Sequence, residues 1–207
     1  MRFGVVPFRV AKSMVESYHY SETMPRGRNL CFGVWIDGGL YAVAVYGNGI
    51  NCYQAPYLSR VTGFNVTNEN HVELKRLVRV EPRHESFQLT QLLGQANKWL
   101  ISQGYTFIVS FSDPSKGHEG CIYKAANFAH IGFTQKEYHD VDAQGKQFHR
   151  RKAYRHAKYY GIPIAEARKK LGLRSVPTPQ RKRWFLALGK ANKKAMSKLR
   201  AGTGASL

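Results

Sequence analysis

Several polar side chains that can do chemistry follow a short apolar run in the middle of the chain. The run starts at Tyr105, and its aromatic and β-branched residues predict a strand buried on both faces. Next come groups that can transfer protons or hydrogen-bond a carbonyl: Ser110, Ser112, Asp113, His118 and Tyr123. Open α/β sheets bind ligands where the carboxyl end of a strand leads into a helix, so we predict the active site at this turn.

Two predicted elements hold these side chains in place. The polar turn 112–115 ends the strand, and residues 117–129 are predicted to form a helix with one buried, alanine-rich face. Alternation along the strand places Ser110 and Ser112 on one side. On the helix, Tyr123 and Asn127 lie one turn apart and away from the alanines, so both are expected to face the cleft.

The remaining pattern of residues 1–152 predicts a mixed sheet. Strands are expected over 30–36 and 40–46, joined by a hairpin turn, and over 72–80, while a helix capped by Ser86 is expected to end near residue 102. A late hairpin is expected over 134–152, and 50–70 shows no regular pattern. This order predicts an α/β fold with a mixed central sheet flanked by helices.

Positive charge is concentrated at the end of the chain. The formal net charge is +19, and residues 149–207 contain 17 Lys and Arg against one acidic residue. We predict a catalytic domain over 1–152 and a basic helical extension over 153–207, with helices over 163–172 and 180–200. DNA, RNA or an anionic membrane surface would attract this charge. Cations interleaved with aromatic residues favour nucleic-acid phosphates as partners: Arg150, Arg151, Lys152, Arg155, Lys158, Arg181, Lys182 and Arg183.

Other classes of protein are not indicated. Three cysteines without paired spacing predict no zinc site and fit a reducing cytosol. No apolar run is long enough to span a membrane, and none near the first residue has the form of a signal peptide. We therefore expect a cytoplasmic protein with no membrane partner.

A series of short motifs resembles one known family. ELKRL at 73–77, VSFSDP at 109–114, GH at 117–118 with Gly120, and IY followed by AANF at 122–128 stand in the order found in the bacteriophage Mom DNA-modification proteins. The resemblance covers about residues 15–152. The order of the predicted elements is similar to the GNAT acyltransferase fold, which that family shares.

The resemblance implies an activity. Mom-family enzymes convert adenine in phage DNA to N6-carbamoylmethyladenine, which protects the DNA from host restriction nucleases. A glycine-derived group from a glycyl-tRNA-type donor and an iron ion are associated with the family. For this chain the resemblance therefore implies double-stranded DNA as substrate, tRNA and iron as further partners, and the host-cell cytoplasm as location.

The resemblance also suggests residue roles. The adenine N6 amine is a poor nucleophile, so an enzyme must position it, remove a proton and stabilise charge on the donor; a duplex base must also be flipped out. Asp113 would read the base or accept the proton, Tyr123 would donate to the donor's oxygen, and Arg76 would clamp a phosphate or carboxyl group. The remaining candidates would hydrogen-bond substrate or donor: Ser110, Ser112, His118, Asn127, His19 and Tyr20.

Most of these residues also have a structural explanation. Asp113 can be a helix N-cap, and Tyr123 can bridge helix and sheet as a partly buried aromatic. Arg76 can form a surface ion pair with Glu73. His118 can cap its helix, and His19 can be structural or a ligand of iron.

The donor-binding stretch departs from ordinary GNAT enzymes. Those enzymes hold pyrophosphate on the backbone amides of a glycine-rich turn after the fourth strand. Residues 81–86 contain no glycine here, and Pro82 lacks an amide hydrogen. We therefore expect weak or no acetyl-CoA binding. Three alternative functions stay open: a GNAT acyltransferase acting on a protein, tRNA or small amine, a tRNA-dependent aminoacyl transferase, and a non-catalytic DNA-binding protein.

Overall fold

The computed structural model describes residues 1–49, 53–149 and 151–202, which form two compact units. The sheet unit consists of Met1–Ser112, His118–Gly132 and the residues from Lys182 onward. The basic unit consists of Asp113–Gly117 and Phe133–Arg181. The chain returns to the sheet unit after residue 181, and the predicted division at residue 152 into a catalytic domain and a basic extension stays a prediction.

A seven-stranded sheet forms the centre of the sheet unit. Its strand order is β1-β2-β3-β4-β5-β10-β6. β4 pairs with β5 in parallel, whereas β1–β2, β2–β3, β3–β4 and β5–β10 are antiparallel. The bounds are β1 (Arg2–Val5), β2 (Asn29–Ile36), β3 (Gly39–Gly47), β4 (His71–Arg79), β5 (Phe107–Ser112), β6 (Ala129–Phe133) and β10 (Lys182–Ala187).

Helices cover both faces of this sheet, as the sequence predicted. Two apolar clusters show it. One joins Leu92 and Leu100 of α3 to the sheet, and the other joins Met14 and Val15 of α1 to Val45. The helices are α1 (Phe8–Tyr18), α2 (Gln54–Thr62), α3 (Leu89–Ser102), α4 (Cys121–Ala125) and α7 (Lys193–Gly202), with a 3₁₀ turn at Lys190–Asn192.

The basic unit contains a small sheet and two helices. Its sheet has the order β8-β7-β9, with both pairings antiparallel. The elements are a 3₁₀ turn (Pro114–Lys116), β7 (Glu137–Val141), β8 (Gln147–Phe148), α5 (Arg151–Tyr160), α6 (Ile164–Lys170) and β9 (Arg174–Thr178). α6 begins directly after Pro163, as predicted.

The helix predicted over 117–129 is wrong in its extent. Gly117, Gly120 and Asn127 have φ values of +74°, +87° and +64°, which a right-handed helix does not accommodate. Only α4 is helical there, and Ala129 already belongs to β6. Tyr123 and Asn127 therefore do not share a helix face.

The helix predicted over 180–200 is wrong in its first half. Residues 184–187 form an apolar run, Trp-Phe-Leu-Ala, and all four are buried in β10 between β5 and β6. A continuous apolar run that is buried on both faces is typical of a central strand rather than of a cationic surface helix. Within 180–200 the α-helix is confined to α7, and the extension contains the strands β9 and β10 as well as helices, so it is not purely helical.

Two smaller expectations also need correction. Residues 50–70 are not wholly irregular, because α2 occupies Gln54–Thr62; residues 50–52 lie outside the described chain. The third helix begins three residues after Ser86. Gln88 stands at its start instead, where the Gln88 N–H donates to Gln91 Oε1 at 2.8 Å.

Candidate active site

The parallel strands β4 and β5 separate at one point of the sheet. Their pairing runs from His71 opposite Phe107 to Leu74 opposite Ser110 and ends there, although β4 continues to Arg79. The β3–β4 register changes at the same place, because Tyr46 pairs with Leu74 whereas the preceding residue pairs with Arg76. One residue of β4, Lys75, is thus extra, and such a bulge bends its strand.

Ser110 lies at this separation. Its side chain is fully buried, and its Oγ is 2.9 Å from Leu74 O and 2.8 Å from Tyr123 Oη. A hydroxyl has one hydrogen and a carbonyl can only accept, so Ser110 donates to Leu74 while Tyr123 donates to Ser110. Ser110 therefore links β5 to β4 at their last paired residues and also binds the Tyr123 hydroxyl.

The indole of Trp184 packs against the phenol ring of Tyr123. The rings of Tyr123 and Trp184 stack at 5.6 Å, and Trp184 Nε1 donates to Ser112 Oγ at 2.9 Å. Gly120 precedes α4 with φ +87°, and a Cβ there would lie 2.2 Å from the Trp184 ring. Ser110 and Ser112 face one side of β5, as predicted, but both contact protein groups.

The surroundings of Tyr123 keep its phenol neutral. Burial raises the pKa of Tyr123, the hydrogen bond with Ser110 opposes that rise, and Tyr20 and Glu73 add to it. A neutral phenol is a hydrogen-bond donor and an acid, not a base. This state suits donation toward a developing oxyanion.

Arg76 lies just beyond the bulge and shares neighbours with Tyr123. Burial lowers the pKa of Arg76, while Tyr20 and Glu73 raise it. Its Nε donates to Thr23 O at 3.2 Å, and its Nη1 donates to Lys75 O at 2.7 Å. These bonds fix the plane of the guanidinium, so the remaining N–H groups point in set directions.

The ring of Tyr20 makes tilted contacts with the rings of His19 and His118. The Tyr20 ring lies 4.3 Å from that of His19 and 4.8 Å from that of His118. Burial, Arg76 and His118 lower the pKa of His19 to about 4. Ser21 N–H donates to His19 Nδ1 at 3.1 Å, so the neutral ring carries its hydrogen on Nε2.

Two residues of the site were missed from the sequence. Tyr46, Leu74, Ser110 and Trp184 form one row across the sheet by register. Tyr46 is fully buried, its hydroxyl has no hydrogen-bond partner within the described residues, and burial and Tyr123 raise its pKa. For Tyr46, the sequence signal that could have indicated a site residue is its position at the end of a predicted strand, just before Gly47. Trp184 was missed because the cations around it suggested a helix.

Asp113 and Asn127 have local roles in the structure. Asp113 Oδ1 accepts from Ser115 N–H at 3.0 Å and from the Ser115 hydroxyl at 2.6 Å, which is the N-cap arrangement. Asp113 belongs to the basic unit. Asn127 is exposed after α4, and its carbonyl accepts from Arg200 at 3.0 Å. Catalytic or substrate-binding roles for both stay predictions.

An iron site does not fit the residues that the structure describes. Within residues 1–49, 53–149 and 151–202, no three His, Cys, Asp or Glu side chains come together to hold a metal ion. His19 Nδ1 is already used by Ser21, and a tyrosine ring separates His19 from His118. We therefore derive no step through iron.

The predicted nucleic-acid cations fall into three groups. Arg151, Lys152, Arg155 and Lys158 are exposed on α5, whereas Arg150 lies outside the described residues. Arg181, just before β10, is exposed. On β10 itself, Lys182 forms an ion pair with Glu119, and the Arg183 guanidinium lies 4.1 Å from the Tyr57 ring centre. The last two are therefore partly covered rather than on an exposed helix.

Two further features bear on function. A groove of about 530 Å³ beside α1 contains Arg9, Ser13 and Leu40 but none of the predicted site residues, so the groove is not the basis of the site. In the part of the chain that the structure describes, no helix is both long and apolar enough to cross a membrane.

Solved structures with a similar fold are N-acetyltransferases. The chain is 10% identical to the ribosomal-protein-S18-alanine N-acetyltransferase of Escherichia coli, with a TM-score of 0.51, covering 93% of this chain and 96% of that one. For the ribosomal-protein-alanine N-acetyltransferase of Brucella melitensis the identity is 8% and the TM-score 0.50, covering 91% and 100%. The fold is therefore GNAT-like, as expected.

Sequence comparison gives the family. The chain is 25% identical over 147 residues to the methylcarbamoylase Mom of Escherichia phage Mu, which covers 70% of this chain and 58% of the phage Mu protein. It thus spans less than two thirds of that relative's length. The model of the Mom protein family matches residues 1–201. Together with the GNAT-like sheet and the motifs around Ser110 and Tyr123, this match shows that the chain belongs to the Mom protein family.

Proposed function

We propose that this protein is a transferase that converts adenine N6 in DNA to a carbamoylmethyl derivative and so protects phage DNA from host restriction. The observation that carries the proposal is the Ser110–Tyr123 hydroxyl pair at the point where β4 and β5 separate. Family membership supports the reaction class, since the phage Mu relative is named a methylcarbamoylase.

Tyr123 is proposed to stabilise the donor. Burial keeps its phenol neutral, so it can donate a hydrogen bond to the donor's carbonyl oxygen while the adenine N6 replaces the tRNA hydroxyl at that carbonyl; the N6-glycyl group so formed is an isomer of the carbamoylmethyl product. When it does so, Ser110 can rotate to donate to the phenol oxygen, at 2.8 Å, in place of Leu74 O. The serine would then strengthen the phenol as a donor in the transition state.

Arg76 and the rings of His19, Tyr20 and His118 are proposed to position the donor and the adenine. The guanidinium is oriented by two backbone carbonyls and can present its other N–H groups to a phosphate or carboxyl group. The exposed ring of Tyr20, which lies between His19 and His118, can contact a flipped adenine through its open edge. Asp113 is proposed to read the base or accept the N6 proton, and Ser112 and Asn127 to support substrate binding.

The donor is proposed to be a glycyl-tRNA-type molecule rather than acetyl-CoA. The segment between β4 and α3 contains no glycine over 81–86, and the first turn of α3 already uses Gln91 to satisfy the Gln88 amide. Both features reduce the free amides that would hold a pyrophosphate. A large polyanionic donor also fits a chain of net charge +19.

DNA in the host-cell cytoplasm is the proposed substrate. The four exposed cations of α5 and Arg181 can neutralise phosphates without reading sequence. The test is mass spectrometry of nucleosides from a plasmid propagated with this protein. A deoxyadenosine heavier by a carbamoylmethyl group supports the proposal. Unmodified deoxyadenosine in cells that contain folded protein and charged tRNA rejects it.

A further inference from the structure

α5 and α6 of the basic unit are joined by a very short turn. α5 ends at Tyr160 and α6 begins at Ile164, so three residues, 161–163, connect them. Gly161 has φ +63°, and the Ile162 N–H donates to Ala157 O at 3.1 Å. Pro163 stands at the start of α6. A three-residue turn that contains glycine has the length and composition of the turn in DNA-binding helix–turn–helix units.

One side of this helix pair is fixed to the unit. Ala153, Ala157 and Ala167 are buried at 0%, 8% and 0% exposure, and such small side chains allow helices to approach closely. From α6, Arg168 Nε donates to Asp140 Oδ1 at 2.8 Å, and Asp140, on β7, is fully buried. This charged hydrogen bond ties α6 to the small sheet and leaves its opposite side outward.

The outward side is cationic and aromatic. Residues 151–174 contain eight Lys and Arg against one acidic residue, Glu166, whose charge is matched by Lys170 at 3.0 Å. Three tyrosines among these cations are 58%, 82% and 60% exposed: Tyr154, Tyr159 and Tyr160. Exposed aromatic rings between exposed cations are typical of surfaces that bind nucleic acid.

We propose that α5 and α6 form a DNA-reading unit that places α6 in the major groove. The first residues of the second helix contact base edges in such units, and here Ala165 and Lys169 are exposed on the side of α6 opposite the buried Ala167. The Ala165 methyl group suits a thymine methyl group, and the Lys169 ammonium suits guanine O6 and N7. The cations of α5 contact the flanking phosphates.

The unit therefore gives the enzyme a target sequence, which backbone contacts alone would not. This inference rests on the proposed function only in taking duplex DNA as the partner. It does not depend on the Ser110–Tyr123 chemistry, because all of its residues lie in the basic unit. The charge and the exposed tyrosines would also suit a folded RNA, which the test must separate.

The test is selection from a library of random DNA duplexes by the full-length protein, followed by sequencing. Three variants are compared with the wild type. A165Q/K169A alters the reading side of α6, R155Q/K158Q removes two phosphate contacts from α5, and K98Q removes one exposed charge from α3 as a control. Thermal unfolding of each variant checks that the fold is intact.

The wild type and K98Q should enrich the same short motif. A165Q/K169A should bind DNA but lose or change the motif. R155Q/K158Q should keep the motif, bind more weakly, and show a slope of log affinity against log salt smaller by about 1.8. No motif in the wild type, an unchanged motif in A165Q/K169A, or preference for tRNA over duplex would each overturn the proposal.

Adenine modification measured in the same cells separates the two proposals. Modification at sites without a common sequence would leave the transferase standing and refute the reading unit. A selected motif without modified adenine would leave the reading unit standing and refute the transferase.

Discussion

The hydroxyl groups of Ser110 and Tyr123 lie 2.8 Å apart beside the last paired residues of β4 and β5. Ser110 is fully buried and also contacts the Leu74 carbonyl, so one small side chain links both strands to the phenol. Trp184 supports the ring of the same tyrosine. The position of Tyr123 is thus determined by the sheet, although α4, which carries it, is only five residues long.

Replacing Ser110 by alanine should destabilise the protein by about 1–3 kcal/mol, because the buried Leu74 carbonyl and the Tyr123 hydroxyl both lose their partner. The measurement is the free energy of unfolding from denaturant titration. S13A, at an exposed position of α1, is the control and should change it by less than about 0.5 kcal/mol. If S110A were as stable as S13A, the hydrogen-bond assignment would be wrong.

Replacing Gly120 by alanine should displace Trp184. A Cβ at this position would lie 2.2 Å from the indole, and the backbone has φ +87°. Gly27 has a similar φ of +90° with nothing within 4 Å, so G27A isolates the backbone strain. We expect G120A to lose about 1–3 kcal/mol more than G27A, in denaturant titration, through overpacking. If G120A and G27A lost the same unfolding free energy, the Trp184 indole would move aside without loss of stability.

The stability of the protein should fall in mild acid because of His19. Its pKa is about 4 in the folded protein against 6.5 ordinarily, so the unfolded chain binds more protons between these values. The contribution of His19 is complete above pH 6.5 and decreases as the pH falls toward 4, where protonation removes the acceptor that Ser21 N–H uses.

H19Q should therefore show a shallower loss of unfolding free energy between pH 6.5 and 4 than the wild type, measured by denaturant titration across that window. H84Q, which removes a half-buried loop histidine outside the candidate site, is the control and should keep the slope of the wild type. Identical slopes for H19Q and wild type would refute the pKa assignment.

Replacing Arg76 by lysine should reduce adenine modification at least about tenfold, since one lost charge-assisted hydrogen bond is worth about 1.5 kcal/mol. An ammonium cannot keep the planar contacts to Thr23 O and Lys75 O while also holding a ligand. R79K, on the same strand and paired with Glu81, is the matched control. Full modification by R76K would exclude a clamping role.

Acetyl-CoA should leave the melting temperature of the protein unchanged at millimolar concentration. The segment after β4 lacks glycine, and the start of α3 uses Gln91 to cap the Gln88 amide. A ligand bound at 100 times its Kd would stabilise the fold by about 2.7 kcal/mol, which a thermal-shift assay detects readily. A clear rise would instead favour an acetyltransferase.

Local pattern predicted the sheet unit well where apolar alternation and turns dominate. The hairpin of β2 and β3 and the strands β4 and β5 lie within about two residues of their predicted bounds. β10 was missed because its position depends on long-range pairing with β5, and its flanking cations favoured a helix. The prediction of a long helix over 117–129 was wrong because three residues there have left-handed backbone conformations. For one of them, Asn127, the sequence gave no clear indication of this conformation.

In the candidate site, too, residues close in sequence were predicted and residues brought together by strand pairing were not. Ser110 and Tyr123 were both proposed from one stretch of sequence, and the structure brings them into contact. Tyr46 and Trp184 were not proposed as residues of this site, because only the pairing of β3, β4, β5 and β10 places them near that pair. Asp113 shows how a single carboxylate can suit a cap and a catalytic role equally well in sequence.

The most direct test is the fraction of carbamoylmethylated deoxyadenosine in plasmid DNA from cells producing Y123F. The substitution keeps the ring stacked on Trp184 and removes only the hydroxyl, and Y18F, at an exposed tyrosine of α1, is the control. We predict modification by the wild type and Y18F and a loss of about 10²–10⁴-fold in Y123F, as expected for a lost proton donor. Modification by Y123F at the level of Y18F would contradict the account.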